Sequence, residues 1–140
     1  MNRKLKEPWK LDTNGKYTEV MKTIMGLSTA SLLLPVFMAR NFLVIDTSKP
    51  LVEVFTYSIY WAWILFGISI LSGVFFQYLS AKWVRIAWDK EAGIFWNKKT
   101  KESTIERCME LSFWMCILMF AFGLMLTVVY FISYKQLGSV

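Results

Sequence analysis

Three long stretches without a charged residue constrain the fold of this chain more than any other feature. They cover residues 23–39, 54–81 and 111–134. A transmembrane helix needs about 20 mostly apolar residues to cross about 30 Å of hydrocarbon. The second and third stretches reach this length by themselves, and the first reaches it if it continues to Ile45. The sequence therefore predicts an all-α membrane protein in which three transmembrane helices form a bundle.

The amount of apolar surface also favours a membrane location. Hydrophobic residues make up 56% of the 140 residues, and aromatic residues make up 17%. A single water-soluble core in a chain of this length cannot bury so much apolar surface. Lipid can cover the remainder, so we expect one integral membrane domain over residues 1–140.

Charges and turn signals divide this domain into a tail and three helices. The stretch "LDTNGK" is typical of a turn and predicts that the first helix begins after it. The second charge-free stretch is longer than the hydrocarbon is thick, so its helix is expected to extend into the cytoplasm. The spacing of Ser103 and Glu106 is that of a capping box and predicts the start of the third helix. The predicted boundaries are residues 1–19 for a basic cytoplasmic tail, about 20–45 for the first span, about 51–88 for the second and about 103–135 for the third.

The distribution of basic residues predicts the orientation in the membrane. Of the 16 Lys and Arg residues, all but Arg40, Lys49 and Lys135 lie before the first charge-free stretch or between the second and the third. The positive-inside rule then places the N-terminus in the cytoplasm and the C-terminus outside, and we expect a bacterial inner membrane. Topology thereby explains the net charge of +6, and no nucleic-acid partner is expected.

A cleaved signal peptide is the alternative interpretation of the first charge-free stretch. The stretch is too long for a signal peptide and starts too far from the N-terminus. It also lacks a clean small-residue cleavage site. We therefore expect a retained transmembrane helix.

The first span departs from a regular apolar helix at Pro35. Proline has no amide hydrogen to donate, so the carbonyl of Ser31 loses its helical partner and a kink is predicted. Hydroxyl groups in the preceding turns, at Ser28, Thr29 and Ser31, can satisfy freed backbone groups. We therefore expect a kink with a hydroxyl cluster, and the kink is a candidate hinge.

Arg40, near the outer end of the first span, has two interpretations. Its side chain can extend to the interface and pair with Asp46 or Glu53. It can also lie with Asn41 in an outer vestibule that attracts anions or a partner protein. The sequence leaves both interpretations open.

Small residues recur at four-residue spacing in all three spans. Such spacing lets helix backbones approach closely in lipid, where small residues are the principal packing device. The contact can lie within one bundle or between copies of the chain, and the sequence does not distinguish the two. The candidate packing and assembly residues are Gly26, Ala30, Gly67, Ser69, Gly73, Gly123 and Thr127.

The sequence lacks the residues that most enzyme and cofactor sites require. It contains no histidine, which excludes a histidine-ligated haem and a histidine general base. The two cysteines do not have metal-ligand spacing, and there is no glycine-rich phosphate loop. The ten acidic residues all lie in tails, loops or helix ends, whereas a proton-coupled transporter usually has a carboxylate or a histidine at membrane depth. We therefore expect neither catalysis nor a bound cofactor or metal.

These features predict a membrane subunit or anchor without enzymatic activity. Its helices would assemble in the lipid bilayer with copies of the chain or with another membrane or cytoplasmic protein. One alternative is a homo-oligomeric pore or a membrane-perturbing effector, lined by the small residues and the hydroxyl groups. Another is an immunity-type protein that blocks a pore-forming toxin. The basic cytoplasmic face offered to a partner consists of Lys82, Arg85, Lys98, Lys99 and Lys101.

Overall fold

The computed structural model of this chain is all-helical. It describes residues 8–42, 55, 57–88 and 102–137, and no strand occurs among them. Its three helices are α1 (Pro8–Phe42), α2 (Tyr57–Ala87) and α3 (Glu102–Leu137). Each is long and apolar enough to cross a membrane. The predicted class, an all-α protein with three candidate transmembrane helices, is confirmed.

The three helices form a bundle in which α2 runs antiparallel to its two neighbours. Ser69, near the middle of α2, contacts Ser28 of α1 and Cys116 of α3. Trp83, near the end of α2, contacts Glu106 near the start of α3. The most extensive contact is between α2 and α3, and α1 packs mainly on α2. We call the end at which α1 and α3 begin and α2 ends the N-terminal end of the bundle.

Two apolar clusters fill the space between the helices. The larger lies towards the N-terminal end, and its buried residues are Met21, Phe76, Leu79, Trp83, Ile105, Met109 and Cys116. The smaller lies at the opposite end, where Phe55, Ile59 and Tyr130 are buried. There the ring of Phe55 packs edge-on against the Trp63 ring, with 5.6 Å between centroids. This edge-to-face arrangement is favourable for aromatic quadrupoles.

Two glycines let the helices approach closely. A Cβ atom at Gly123 of α3 would lie 2.8 Å from the ring of Phe66, which is fully buried in α2. A Cβ atom at Gly73 of α2 would lie 2.6 Å from Cγ of Met25 in α1. Both positions are therefore in contact with another helix of the same chain, and a Cβ atom there would force the facing side chain, Phe66 or Met25, to shift.

The predicted turn at "LDTNGK" is wrong, because α1 is continuous from Pro8 through this stretch. The side-chain amide of Asn14 donates a 2.8 Å hydrogen bond to the hydroxyl of Ser80 in α2. Leu11 packs against the larger apolar cluster. These contacts with the rest of the bundle override the local turn preference of Asn and Gly. Residues 8–19, expected in a tail, are thus the first three turns of a helix.

The other boundaries lie near the expected positions where the structure describes them. The helix α2 ends at Ala87, and α3 begins at Glu102 and ends at Leu137. Pro35 is fully buried inside α1, and the helix continues past it to Phe42. The expected start of the second helix, near residue 51, lies outside the described residues.

The Gly123 contact predicts opposite effects for two glycine-to-alanine substitutions. Gly123→Ala should lower the free energy of unfolding by about 1–3 kcal/mol, because the methyl group overpacks the Phe66 ring. Gly26→Ala should raise it by about 0.5–1 kcal/mol, because no atom lies within 4 Å of the added Cβ and alanine favours the helix. Titrating each protein from dodecyl maltoside into SDS, with circular dichroism as the readout, measures both values. Equal effects of the two substitutions would contradict the assigned packing.

Candidate functional site

Polar side chains meet inside the bundle at two levels. The first is a buried layer near the middle of the helices, formed by Ser28, Ser69 and Cys116, which we call the central layer. The second is an open cleft at the N-terminal end, formed where α1 begins beside the end of α2 and the start of α3. The central layer is buried and its hydroxyl groups are hydrogen-bonded within the bundle, whereas the cleft is open and lined by charged and aromatic side chains.

The central layer joins all three helices through one hydroxyl group. Ser69 Oγ of α2 donates a 2.8 Å hydrogen bond to the backbone carbonyl of Cys116 in α3. Ser28 Oγ of α1 lies 3.2 Å from Ser69 Oγ. All three residues are fully buried. Hydrogen bonds between helices are a recognised source of association in lipid, so this layer fixes the mutual register of the helices.

The hydroxyl groups predicted to cluster near Pro35 divide between two sides of α1. Thr29 is exposed, and its hydroxyl donates to the carbonyl of Met25 one turn earlier in α1. Ser28 and Ser31 lie one turn apart on the buried side of the helix, as does Pro35 one turn later. Of these hydroxyl groups, that of Ser28 belongs to the central layer.

The small residues separate into an inward set and an outward set. Ser69, Gly73, Gly123 and Thr127 are buried within the bundle, and the Thr127 hydroxyl donates to the carbonyl of Gly123. Gly26 and Ala30 are exposed on α1, and Gly67 is half-buried on α2. A Cβ atom at Gly26 or at Gly67 would meet nothing within 4 Å. The outward set therefore leaves open space along the surface.

The cleft at the N-terminal end is the larger of the two polar features, and we call it the N-terminal cleft. It has a volume of about 550 Å³ and is partly open. Six of its twelve lining residues are aromatic, and charged side chains lie among them. The lining residues are Trp9, Lys10, Thr13, Asn14, Tyr17, Phe76, Trp83, Glu106, Met109, Glu110, Phe113 and Trp114.

Charged groups in the N-terminal cleft are unevenly paired. Lys10 Nζ lies 3.5 Å from Glu106 and 3.8 Å from Glu102. The indole nitrogen of Trp83 donates a 3.2 Å hydrogen bond to Glu106. Glu110 lies one turn further along α3, and its carboxylate makes no hydrogen bond or ion pair with the described part of the chain. The cleft thus contains one carboxylate that is paired with Lys10, that of Glu106, and one that can interact with a ligand, that of Glu110.

Aromatic rings hold the shape of the N-terminal cleft. Tyr17 of α1 packs edge-on against Phe113 of α3, with 5.0 Å between ring centroids. Phe113 in turn packs against Trp114, at 5.9 Å. The outer rings remain accessible, since Trp9 is 64% exposed and Trp114 is 53% exposed. Two exposed indoles therefore line a cavity in which Tyr17, Phe113 and Trp114 pack against one another.

The predicted basic face is wrong at Lys82, which is buried. Lys82 shares the buried side of the last turns of α2 with Leu79 and Trp83. Its ammonium nitrogen lies 4.8 Å from the centroid of the Tyr78 ring, as in a cation–π contact. Arg85 is exposed, as expected. Lys98, Lys99 and Lys101 lie outside the described residues.

The predicted outer-face charges fall largely outside the described part of the chain. Arg40 belongs to the last turn of α1 by its backbone. The expected contacts of its side chain, and the positions of Asp46 and Glu53, lie outside the described residues. The interfacial and vestibule interpretations of Arg40 therefore stay predictions.

The N-terminal cleft could not be predicted from the sequence, because residues 8–19, which form one of its walls, are expected there in a tail and not in α1. A signal was present: Lys10, Asn14, Tyr17 and Met21 follow one another at three- or four-residue intervals. This is the period of one helix face. The Asn–Gly pair in the same stretch pointed to a turn and obscured that period.

Metal-ligating side chains do not gather in the described part of the chain. Among residues 8–42, 55, 57–88 and 102–137, no group of three or more His, Cys, Asp or Glu side chains could hold a metal ion. No protein-family model, curated protein or solved structure matches this sequence.

The central layer predicts a specific loss of stability when the Ser69 hydroxyl is removed. Ser69→Ala should lower the free energy of unfolding by about 0.5–1.5 kcal/mol, because contacts to both neighbouring helices are lost. Thr29→Ala, which removes an exposed hydroxyl bonded only within its own helix, should change it by less than about 0.5 kcal/mol. Unfolding in a lipid–detergent mixture, followed by tryptophan fluorescence, measures both. Comparable losses in the two variants would exclude a linking role for Ser69.

Proposed function

We propose that this chain is a non-enzymatic integral membrane subunit or anchor, which assembles through its helices with copies of itself or with another membrane protein. The observation that carries the proposal is the open space beside Gly26 and Gly67. At these two glycines an added Cβ meets no atom within 4 Å, whereas at Gly73 and Gly123 it meets a side chain of the same bundle.

The outward small residues are placed for a helix to pack on them. Ser28 and Ser69 are in contact, and α1 and α2 are antiparallel. Ala30 lies two residues further along α1 and Gly67 two residues back along α2, so they share one depth in the bundle. Gly26 is one turn from Ala30 on the same exposed side of α1. At this depth Gly26 and Ala30 on α1, and Gly67 on α2, each leave room for an incoming helix.

Close packing would supply the free energy of assembly at these small residues. Lipid tails are as apolar as leucine, so helices associate in a bilayer through van der Waals contact and interhelical hydrogen bonds. Gly73 and Gly123 are used in this way inside the bundle. The outward glycines offer the same device to a helix that belongs to another chain. Large apolar side chains flank them, including Leu33, Phe37, Ile64 and Leu71.

Packing also accounts for the polar groups inside the bundle. Ser69 bonds to groups of both neighbouring helices, and Asn14 bonds to Ser80. Buried polar groups in these contacts are satisfied by one another. This use of hydroxyl and amide groups supports a structural subunit more than a catalyst.

The proposed orientation has the N-terminal end of the bundle in the cytoplasm of a bacterium, with the chain in the inner membrane. The described charged residues at that end include Lys10, Lys16, Lys22, Arg85 and Arg107. Basic residues are retained on the cytoplasmic side of the membrane.

Assembly through the outward glycines predicts the behaviour of a double variant. Gly26→Leu with Gly67→Leu should shift the gently extracted complex towards the 16.4 kDa protomer, because the two side chains fill the open space beside these positions. Native mass spectrometry in a mild detergent measures the shift. The matched control is Ala121→Leu, which enlarges an exposed small residue of α3 and should leave the complex unchanged.

The composition of the wild-type complex then distinguishes the kinds of assembly. A second polypeptide in the complex identifies a heteromeric subunit or anchor, and its identity names the process. Copies of this chain alone identify a homo-oligomer, and ion flux in a sealed bilayer would then replace the anchor by a pore. An unaltered complex in the double variant would exclude Gly26 and Gly67 from the interface.

The proposed orientation predicts which face of the membrane reacts with an impermeant maleimide. In a Cys108→Ser background, Lys16→Cys should be labelled in inverted vesicles, and Ser133→Cys should be labelled in intact spheroplasts. Lys16 is 76% exposed and Ser133 is exposed, so both thiols are accessible. Cys116 is fully buried and serves as the internal control for background labelling. The opposite pattern would reverse the orientation.

A further inference from the structure

We propose that the N-terminal cleft binds the ammonium-bearing head group of a zwitterionic phospholipid, with Glu110 as the partner of the ammonium group. The inference depends on the chain lying in a membrane and not on its assembly with other chains. Four properties of the cleft support this inference: its level in the membrane, its opening, its charge and its aromatic walls.

The N-terminal cleft lies at the level where lipid head groups are found. On α3, Glu110 is the last charged residue before the charge-free stretch of residues 111–134. On α2, Lys82 follows directly after the charge-free stretch of residues 54–81. Charged residues and tryptophans mark the boundary between hydrocarbon and water. The cleft, lined by Glu110, Trp9 and Trp114, is therefore at this boundary.

The α3 wall of the cleft continues into an apolar surface. The helices α1 and α3 make the least extensive contact of the three helix pairs. Along α3, Leu111, Trp114 and Leu118 are 67%, 53% and 46% exposed. A molecule with its polar part in the cleft therefore finds an apolar path for its acyl chains. This amphipathic arrangement fits a lipid better than a water-soluble ligand.

The charge of the cleft favours a cation at its α3 wall. Glu102, Glu106 and Glu110 recur at four-residue intervals along α3, and the two latter residues line the cleft. Lys10 and the Trp83 indole engage Glu106, while Glu110 has no hydrogen bond or ion pair within the described residues. An anionic head group placed here would face carboxylates. An ammonium group gains a charge-assisted hydrogen bond to Glu110.

The aromatic walls add a second interaction that selects a cation. Trp114 lies one turn after Glu110 on α3, and Trp9 and Tyr17 line the cleft from α1. The faces of such rings attract ammonium groups, and tryptophan does so most strongly. The volume of about 550 Å³ falls within the range of small-ligand sites, about 300–1,000 Å³.

The experiment measures which phospholipid stays bound to the purified whole chain. The protein is placed in nanodiscs of equimolar phosphatidylethanolamine and phosphatidylglycerol and then released in a native mass spectrometer. We expect one retained phosphatidylethanolamine, favoured over phosphatidylglycerol by about tenfold, because one ion pair and one cation–π contact distinguish the two lipids. Equal retention of the two lipids, or retention of phosphatidylglycerol alone, would overturn the proposal.

Two matched variants locate the retained lipid. Glu110→Gln keeps the shape of the side chain and removes its charge, so the preference for phosphatidylethanolamine should fall to about twofold or less. Glu19→Gln removes the charge of an exposed carboxylate of α1 outside the cleft and should leave the preference unchanged. Both variants are compared at equal helicity, which separates a lost site from a lost fold. An unchanged preference in Glu110→Gln would move the lipid out of the cleft and overturn the assignment.

Discussion

The hydroxyl group of Ser69 links all three helices in the buried centre of the bundle. It bonds to the backbone of α3 and lies against the hydroxyl of Ser28 in α1, where water has no access. A helix rotated about its axis would leave these polar groups without partners in an apolar environment, which is costly. Gly73 and Gly123 then allow the backbones to come close enough for the contact. Hydroxyl and glycines therefore act together: one specifies the register and the others permit it.

The same register makes α1 different from its neighbours. Tyr17 packs on Phe113, so Lys22, five residues later, is level with Leu118 of α3. Leu118 lies eight residues beyond Glu110, about 12 Å deeper at 1.5 Å per residue. At this depth α1 presents an exposed lysine, while α3 presents exposed apolar side chains. The polar boundary is thus tilted across the bundle, and the N-terminal cleft lies where the two kinds of surface meet.

The class of the fold could be predicted from the sequence, but the N-terminal cleft could not. A charge-free stretch is a property of composition over many residues and does not depend on any single contact, so three membrane-spanning helices could be predicted from such stretches. The helical state of residues 8–19 depends on contacts such as Asn14 with Ser80, 66 residues away, which no local pattern reveals. Burial of Lys82 has the same origin, since it depends on what covers the last turns of α2. The small residues were recognised as packing positions, yet only the three-dimensional structure separates Gly73, closed by Met25, from Gly67, which remains open.

The helix α1 connects the two proposed activities of the molecule. Its first turns form one wall of the N-terminal cleft, and its later turns carry Gly26 and Ala30 on the outside. It is held mainly by α2 and only slightly by α3, so its position is the least constrained of the three. A head group bound in the N-terminal cleft would add a link between α1 and α3, the pair with the least extensive contact. Because Gly26 and Ala30 lie on α1, the proposed lipid binding and the proposed helix assembly would favour the same position of α1 and reinforce each other.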